Sequence, residues 1–332
     1  MLRLRDVRRV SRLVIATVSI LLAGGALELV LRASDYHYSP VKIGANIKDD
    51  WREEHAFHDR HLVYDPVLIW RPWSGQFSPF NPQGFRGAPV DVAKHPGEFR
   101  IFALGDSNTF GWDVDEGANW PAQLQRLFAG SHPGTQVINA GVWGYTSFQG
   151  RNRFQELLAY SPDLVLVSFG ANDAHQVRVP DSEYVQRHDR IERLTRATKR
   201  LRLAQLAVDV WDKVEVATGA TGALVPRVSL TEYLTYLRDI VRTGRARGVR
   251  VVLLTRPYMG TSTDPASWKS HAPAYNEATR DVAREEHAPV IDVYAAFRDH
   301  PEYFDDESHF GVEGHHLAAE LIHKELASLV AP

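Results

Sequence analysis

The 332-residue sequence contains no cysteine, which excludes disulfide bonds, thiolate nucleophiles and cysteine-ligated zinc or iron–sulfur sites. It also lacks the basic excess typical of nucleic-acid-binding proteins, since its formal net charge is −3. No Walker A or Gly-x-Gly-x-x-Gly pattern indicates nucleotide binding. The remaining composition, 44% hydrophobic and 24% charged, is that of an ordinary globular protein with ample core for an enzyme. We therefore expect no nucleic-acid partner and no cofactor.

The N-terminus is typical of a membrane-targeting segment. Residues 1–12 form a basic tail with five arginines and one aspartate, and the apolar stretch 13–31 follows. This stretch is long enough to cross the membrane if Glu28 lies at the interface, where its carboxylate can reach water. Because the arginines precede it, we predict a single-pass anchor in the inner membrane, with the later residues facing the periplasm or cell exterior. A cleaved signal peptide, using the small residues Gly24–Ala26, is the alternative.

Residues 32–97 are rich in aromatic residues and prolines and show little periodicity. This composition predicts an extension that packs on the main domain and has no core of its own. Within it, His55, His58 and His61 are spaced to share one helix face as metal ligands. No carboxylate pattern accompanies them, and exposed histidines are common, so we predict no metal site.

From residue 98 to residue 331, short apolar runs alternate with helical patterns. One helix start is marked by a capping box, Ser229–Glu232. Near-continuous aliphatic runs are typical of parallel strands that are covered on both faces. The runs are Arg100–Leu104, Gln136–Asn139, Asp163–Phe169, Val249–Thr255 and Pro289–Val293. The pattern predicts a three-layer α/β/α sandwich on a five-stranded parallel sheet, with ligands at the carboxyl ends of the strands.

The segment 176–226 interrupts this alternation between the third and fourth predicted strands and is interpreted as an insertion. Within it, Ser182–Gln205 carries many arginines and has apolar residues at helical spacing. This pattern predicts an amphipathic basic helix. A solvated surface helix is the simpler interpretation, and contact with anionic lipid headgroups or an anionic glycan is the functional one.

Three of the predicted strands end in residues with catalytic potential. The first runs into Gly105-Asp106-Ser107, and a serine on such a turn is a candidate nucleophile if a base can reach it. The second ends near Gly141, whose N–H can approach an oxyanion, and the third ends near Asn172, whose side chain can supply another donor. Each of these residues is also a common turn or capping residue.

A fourth feature lies near the C-terminus, where Asp306 precedes His309 by three residues, just before the helical pattern Glu313–Leu329. This spacing lets the carboxylate fold back onto the imidazole Nδ1, which leaves Nε2 to accept a proton from the serine. Four neighbours compete for these roles and rank lower by position: Asp305, Glu307, His315 and His316.

In this order along the chain, four blocks resemble those of the SGNH/GDSL hydrolase family. The blocks are Gly105-Asp106-Ser107, Gly141, Gly170-x-Asn172-Asp173 and Asp306-x-x-His309. The resemblance covers about residues 98–331 and implies a flavodoxin-like α/β/α fold and either ester hydrolysis or acyl transfer to oxygen. The anchor is also similar, more loosely, to that of envelope-associated members.

Carried over block by block, the resemblance implies a nucleophile, Ser107, a general base, His309, and an orienting carboxylate, Asp306. It also implies an oxyanion hole made by the N–H groups of Ser107 and Gly141 and the side chain of Asn172. Asn108 departs from the commonest family pattern, but it lies outside the catalytic set. No Gly-x-Ser-x-Gly elbow occurs, which disfavours the other common serine-hydrolase architecture.

The sequence therefore predicts an extracytoplasmic serine esterase that acts on an O-acylated glycan or lipid through an acyl-enzyme. An O-acyltransferase for an envelope polysaccharide would use the same residues, and a non-catalytic scaffold in an envelope complex is a further alternative. Aromatic residues near the predicted site are typical either of sugar stacking or of internal packing. They are Trp112, Trp120, Trp143 and Tyr145.

Overall fold

The structure is a computed structural model, and it describes residues 4–34, 36, 61–75, 77–186, 201–217 and 223–330. The chain divides into two compact units. A helical unit comprises Met1–Pro40 and Gln186–Gly222, and an α/β unit comprises Val41–Val185 and Ala223–Pro332.

Strands and helices alternate through most of the described chain. The strands are β1 (Leu62–Asp65), β2 (Ile69–Pro72), β3 (Phe99–Gly105), β4 (Thr135–Asn139), β5 (Leu164–Ser168), β6 (Gln176–Val177), β7 (Val225–Pro226), β8 (Arg250–Leu254) and β9 (Val290–Ile291). The helices are α1 (Leu4–Ala33), α2 (Ser107–Phe110), α3 (Trp120–Ser131), α4 (Ser147–Leu157), α5 (Arg202–Ala217), α6 (Leu230–Ala246), α7 (Trp268–Glu285), α8 (Val293–Phe297) and α9 (Val312–Val330). Residues 181–186 add a short helical turn.

The α/β unit is built on a five-stranded parallel sheet with the order β4-β3-β5-β8-β9. Side chains of β3, which pairs with β4 on one side and β5 on the other, alternate between two cores, with Phe102 and Leu104 on one face and Ile101 and Ala103 on the other. The first face is covered by α4, α6 and α7, and the second by α3, α8 and α9. This arrangement confirms the predicted three-layer sandwich. Because the strands are parallel, their carboxyl ends meet at one edge.

Local signals placed several of these elements correctly. All five predicted strands occur within one or two residues of their predicted ends. The capping box is also confirmed: Ser229 Oγ accepts from the Glu232 N–H at 3.3 Å, and the Glu232 carboxylate accepts from the Ser229 N–H at 3.1 Å. Each bond satisfies a backbone donor that the first turn of α6 leaves unpaired.

The described part of the extension, residues 61–75 and 77–97, packs against the sheet layer. Phe85 is fully buried, and its ring centroid lies 5.5 Å from that of Phe102 on β3. His61 is buried with its ring edge-on to Trp143, at 6.4 Å. His55 and His58, the other members of the predicted histidine trio, lie outside the described residues. Within the described ranges, no group of three or more His, Asp or Glu side chains is arranged to hold a metal ion.

In the helical unit, α1 includes a 23-residue stretch, Ser11–Ala33, that is long and apolar enough to cross a membrane. The same test is passed by a signal sequence. The Glu28 carboxylate, which the sequence analysis placed at the interface, accepts hydrogen bonds from the backbone N–H groups of Arg202 (3.1 Å) and Leu203 (2.8 Å). Since these are the first residues of α5, Glu28 satisfies donors that the start of that helix leaves unpaired.

The predicted basic helix over Ser182–Gln205 is not continuous. Residues 187–200 lie outside the described residues, and Leu201 is not helical. The Leu201 carbonyl accepts from the N–H groups of Ala204 (3.1 Å) and Gln205 (3.3 Å), so a new helix, α5, begins after it.

Candidate active site

Ser107 lies on a tight turn between β3 and α2. The Asp106 side chain caps α2 by accepting the Asn108 N–H at 2.9 Å, which leaves Ser107 as the first helical residue. The turn requires glycine at position 105, because a Cβ there would lie 2.2 Å from Thr109 Oγ1. The strand end and the cap together place the serine at the carboxyl edge of the sheet.

The structure brings Ser107, His309 and Asp306 into one hydrogen-bonded chain. Ser107 Oγ lies 2.7 Å from His309 Nε2, and His309 Nδ1 lies 2.7 Å from Asp306 Oδ2. The second Asp306 oxygen accepts the backbone N–H groups of Ser308 (2.7 Å) and His309 (2.8 Å). The three-residue spacing seen in the sequence therefore closes a local turn that aims the imidazole at the serine.

The charge state of Asp306 suits this arrangement. Burial raises the pKa of its carboxyl, but the hydrogen bond and charge of His309, with the two backbone N–H donors, outweigh burial and lower the pKa to about 2. The carboxylate is therefore ionised near neutral pH. An ionised Asp306 accepts a hydrogen bond from the Nδ1–H group of His309. This leaves Nε2 as the proton acceptor that faces Ser107.

The four local competitors have other partners. Glu307 forms an ion pair with Lys269 at 2.7 Å. Burial and nearby positive charges lower the pKa of His315 to about 3, and its side chain lies inside the second core. Asp305 joins the histidine loop through its backbone N–H, and His316 hydrogen-bonds along the face of α3. Their positions agree with the lower rank that the sequence assigned to them.

Asn172 lies in the loop after β5, beside the loop that follows β4. Its side-chain Nδ2 donates to the Tyr145 carbonyl at 3.0 Å, so one of its two N–H groups remains for another acceptor. The neighbouring Asp173 is fully buried, and it accepts from Ser147 and from the Gly170 N–H at 3.0 Å. Burial raises the pKa of Asp173 to about 7, against the opposing effect of the Ser147 hydrogen bonds. These contacts hold the Asn172 backbone in place.

Gly141 lies in the loop after β4, where the sequence predicted an oxyanion donor. Its N–H donates to Asn139 Oδ1 at 3.0 Å, so this N–H is already bound. Glycine is required there for packing, because a Cβ would lie 2.3 Å from the Phe110 backbone N in α2. Three residues on, Gly144 has a positive φ of 74°, and within the described chain its N–H has no hydrogen-bond partner. Local sequence does not separate the two glycines, because the difference between their N–H groups is made by the Asn139 side chain.

Arg256 was also missed by the sequence analysis. It follows β8 directly, is almost fully buried, and donates from Nε to both oxygens of Asp106, at 3.0 and 2.7 Å. The same guanidinium donates to the Ser308 carbonyl at 2.8 Å and to Ser308 Oγ at 3.2 Å. Arg256 therefore joins the serine turn to the loop that carries the histidine. The available signal was a polar residue at the carboxyl end of a further predicted strand.

Two further arginines hold the loops around the site. Arg227 donates from Nη1 to the Gly144 carbonyl at 2.8 Å and forms a nearly buried ion pair with Asp181 at 2.9 Å. Both residues lie at the base of the predicted insertion. On the other side, Arg86 from the extension donates to the Phe110 carbonyl at 2.8 Å, at the end of α2. The insertion and the extension thus help to position the loops that form the site.

Of the four aromatic residues that the sequence singled out, three are buried: Trp120, Trp143 and Tyr145. Packing accounts for them. Trp112 is only partly buried, and its ring centroid lies 6.1 Å from that of His309. Trp112 is therefore the member of this group whose ring is partly exposed beside His309.

Comparison with known proteins agrees with this geometry. The sequence pattern of the GDSL-like lipase/acylhydrolase family matches residues 103–317. An arylesterase from Vibrio mimicus is 35% identical over 75 residues, which cover 22% of this chain and 38% of the relative. The thioesterase 1/protease 1/lysophospholipase L1 of Escherichia coli K12 is 37% identical over 90 residues, which cover 27% of this chain and 38% of the relative. The matched regions thus span about two fifths of the length of these curated relatives.

A solved lipase/acylhydrolase from Enterococcus faecalis has a similar fold, with a TM-score of 0.50 and 22% sequence identity. The alignment covers 71% of this chain and 98% of that protein. At this identity the likeness supports the fold alone. The match of the family pattern to about two thirds of the sequence shows that this chain belongs to the GDSL-like lipase/acylhydrolase family.

Proposed function

We propose that this protein hydrolyses O-acyl esters, with Ser107 as the nucleophile, His309 as the general base and Asp306 as the residue that orients the imidazole. The observation that carries this proposal is the pair of 2.7 Å contacts that links the three side chains. Family membership supports the reaction class, because the matched family is one of lipases and acylhydrolases.

The reaction proceeds through an acyl-enzyme. His309 Nε2 takes the Ser107 proton as Oγ forms a bond to the ester carbonyl carbon, and the carbonyl electrons move to the oxygen. The C–O bond to the alcohol then breaks, and the alcohol leaves with the proton from His309. Water attacks the acyl-enzyme by the same steps in reverse, releasing the acid and restoring the serine. Asp306 stays ionised throughout.

The oxyanion needs preorganised N–H donors. We assign two of them to the Ser107 backbone N–H and the Asn172 side chain. A third comes from the loop after β4. Gly141 can serve if its bond to Asn139 opens, whereas the Gly144 N–H needs no such rearrangement.

The substrate class follows from the surroundings of the site. Trp112 lies beside His309 and is partly exposed, which suits stacking on a sugar ring of an O-acylated glycan. The apolar α1 supports an anchored enzyme whose α/β unit faces the periplasm or cell exterior and acts on envelope glycans or lipids. Transfer of the acyl group to a second sugar hydroxyl would use the same acyl-enzyme, and product analysis with an added glycan distinguishes it from hydrolysis.

The first prediction concerns covalent labelling. A fluorophosphonate probe should react with the full chain at one serine, Ser107, because only a serine beside a base is activated toward phosphorus. Mass spectrometry of the digested protein identifies the labelled peptide. Loss of labelling in His309→Ala would support activation by the imidazole. Labelling at another serine, or equal labelling in the His309 variant, would contradict the assignment.

The second prediction concerns the oxyanion donor. Asn172→Ala should lower kcat for p-nitrophenyl acetate by about 10²–10³-fold with a small change in KM, because the lost bond forms in the transition state. Asn152→Ala is a matched control, since Asn152 also donates its amide to a backbone carbonyl, that of Val67, but on the outer surface. If the two variants have similar kcat values, Asn172 is not an oxyanion donor.

A further inference from the structure

We propose that α5 is a second membrane-contacting element, a helix that begins beside α1 within the lipid, crosses the headgroup region and presents an apolar stripe to phospholipid. This inference rests on the proposed anchoring of α1 in a membrane. It concerns residues within the helical unit alone. Three observations carry it: a partly buried polar contact that sets the depth of α5, a second contact that sets its direction, and the composition of its exposed face.

The first observation is the position of Glu28. Its carboxylate lies inside the apolar stretch of α1, and it accepts the N–H groups of Arg202 and Leu203 at 3.1 and 2.8 Å. Arg32, one turn later on α1, adds an ion pair to the same carboxylate at 2.7 Å. A charged group at this depth needs polar partners, and here the start of α5 supplies them. The α5 N-terminus is therefore held at the level of Glu28.

The depth of that level follows from helix geometry. Glu28 precedes the last residue of α1, Ala33, by five positions, which is about 8 Å along the helix axis at 1.5 Å per residue. The first turn of α5 thus lies beside the last turns of the apolar stretch, about 8 Å below its end.

The second observation fixes the direction of α5. Tyr36, just beyond the end of α1, donates its hydroxyl to Asp209 in the second turn of α5 at 3.1 Å. Since α5 meets Glu28 at its start and Tyr36 at Asp209, it runs from the end of the apolar stretch toward the aqueous side. Its middle therefore lies at the level of the lipid headgroups.

The third observation is the exposed face of α5. Ala207, Val210, Trp211 and Val214 occupy positions i, i+3, i+4 and i+7, so they form one stripe along the helix. All four are exposed, and Trp211 is 68% exposed. Apolar side chains on one face, with a tryptophan among them, are typical of helices in the headgroup region. The occupant that fits this stripe is the bilayer that α1 enters.

The absence of cysteine allows a direct test with single-cysteine variants. Val210→Cys and Val92→Cys carry the same small NBD fluorophore, and the two valines have similar exposed fractions, 49% and 56%. The full chain is reconstituted in vesicles of phosphatidylethanolamine and phosphatidylglycerol. We expect a lipid-attached nitroxide to reduce fluorescence at position 210 roughly two-fold, and aqueous iodide to quench position 92 preferentially.

The outcomes separate the inference from the proposed function. If the protein floats with the vesicles and iodide quenches both positions equally, α5 is not at the membrane. If Val210→Cys instead forms a disulfide-linked dimer in vesicles, the stripe binds a second copy and the inference is wrong. If the protein does not float, anchoring fails and this inference fails with it, while ester hydrolysis is measured on the same sample.

A second variant tests the role of Glu28. Glu28→Ala should keep the protein in the vesicles, because removing a carboxylate makes α1 more apolar. It should also reduce lipid quenching at position 210 to the level at position 92, since α5 loses the contact that sets its depth. Unchanged quenching in this variant would show that Glu28 does not position α5.

Discussion

Ser107→Ala is expected to lower kcat for a simple ester such as p-nitrophenyl acetate by about 10⁴-fold or more, because the acyl-enzyme can no longer form. Residual turnover above that of water would come from the oxyanion donors and from substrate binding. The fold should survive, because the side chain is small and the change removes one hydrogen bond, to His309. A typical hydrogen bond contributes about 1 kcal/mol to stability, so the unfolding midpoint should shift by only a few degrees.

Ser131→Ala is the matched control for this variant. Ser131 is exposed at the end of α3, and its hydroxyl donates to the Leu127 carbonyl at 3.0 Å. The same chemical change there should leave kcat and KM unchanged. A purified Ser107 variant that keeps more than a tenth of the wild-type rate would overturn the assignment of the nucleophile.

Arg256→Met is expected to destabilise the α/β unit by about 3–5 kcal/mol, because it leaves the carboxylate of Asp106 buried without its cationic partner. Asp106 is fully buried, and the arginine that neutralises it is 1% exposed. For a unit of this size, the loss corresponds to a fall of roughly 10 °C in the unfolding midpoint. The rate of ester hydrolysis should fall by more than the loss of folded protein explains, since Arg256 also holds the Ser308 carbonyl next to His309. Differential scanning calorimetry and ester hydrolysis below the unfolding transition measure the two effects.

Two further variants separate loss of charge compensation from loss of packing. Arg238→Met removes an arginine that pairs with Glu285 at 2.7 Å on the surface, and such exposed pairs contribute about 0–1 kcal/mol. The double variant Asp106→Asn, Arg256→Met should recover part of the lost stability, because it removes the uncompensated charge. If Arg256→Met and Arg238→Met unfold at the same temperature, the buried pair does not stabilise the unit as argued.

Much of the fold could be predicted because its signals are local. Each strand of the sheet is a short aliphatic run bounded by polar or glycine residues, and burial on both faces requires such a run. The Asp306–His309 contact could also be predicted, since a three-residue turn closes it. Ser107 could be singled out as a candidate because Gly105-Asp106-Ser107 directly follows an aliphatic run.

The parts that could not be predicted depend on long-range contacts. Arg256 joins Asp106, 150 positions earlier, to Ser308, 52 positions later. Arg227 holds the Gly144 carbonyl across 83 positions. Neither arginine has a local pattern that distinguishes it from a surface arginine, because a buried charge is stable only where the fold brings its partner.

By itself, the sequence determined the strand–helix alternation, the apolar N-terminal stretch and the residue types available for acyl chemistry, since each is set by periodicity, composition or short spacing. The tertiary structure alone decided which N–H groups remain available near Ser107, which arginines hold the site together, and what Glu28 binds. Those outcomes depend on which distant side chains share a buried space. A hydrogen bond that satisfies a buried group is selected by packing across the whole fold and leaves no trace in a short segment of sequence.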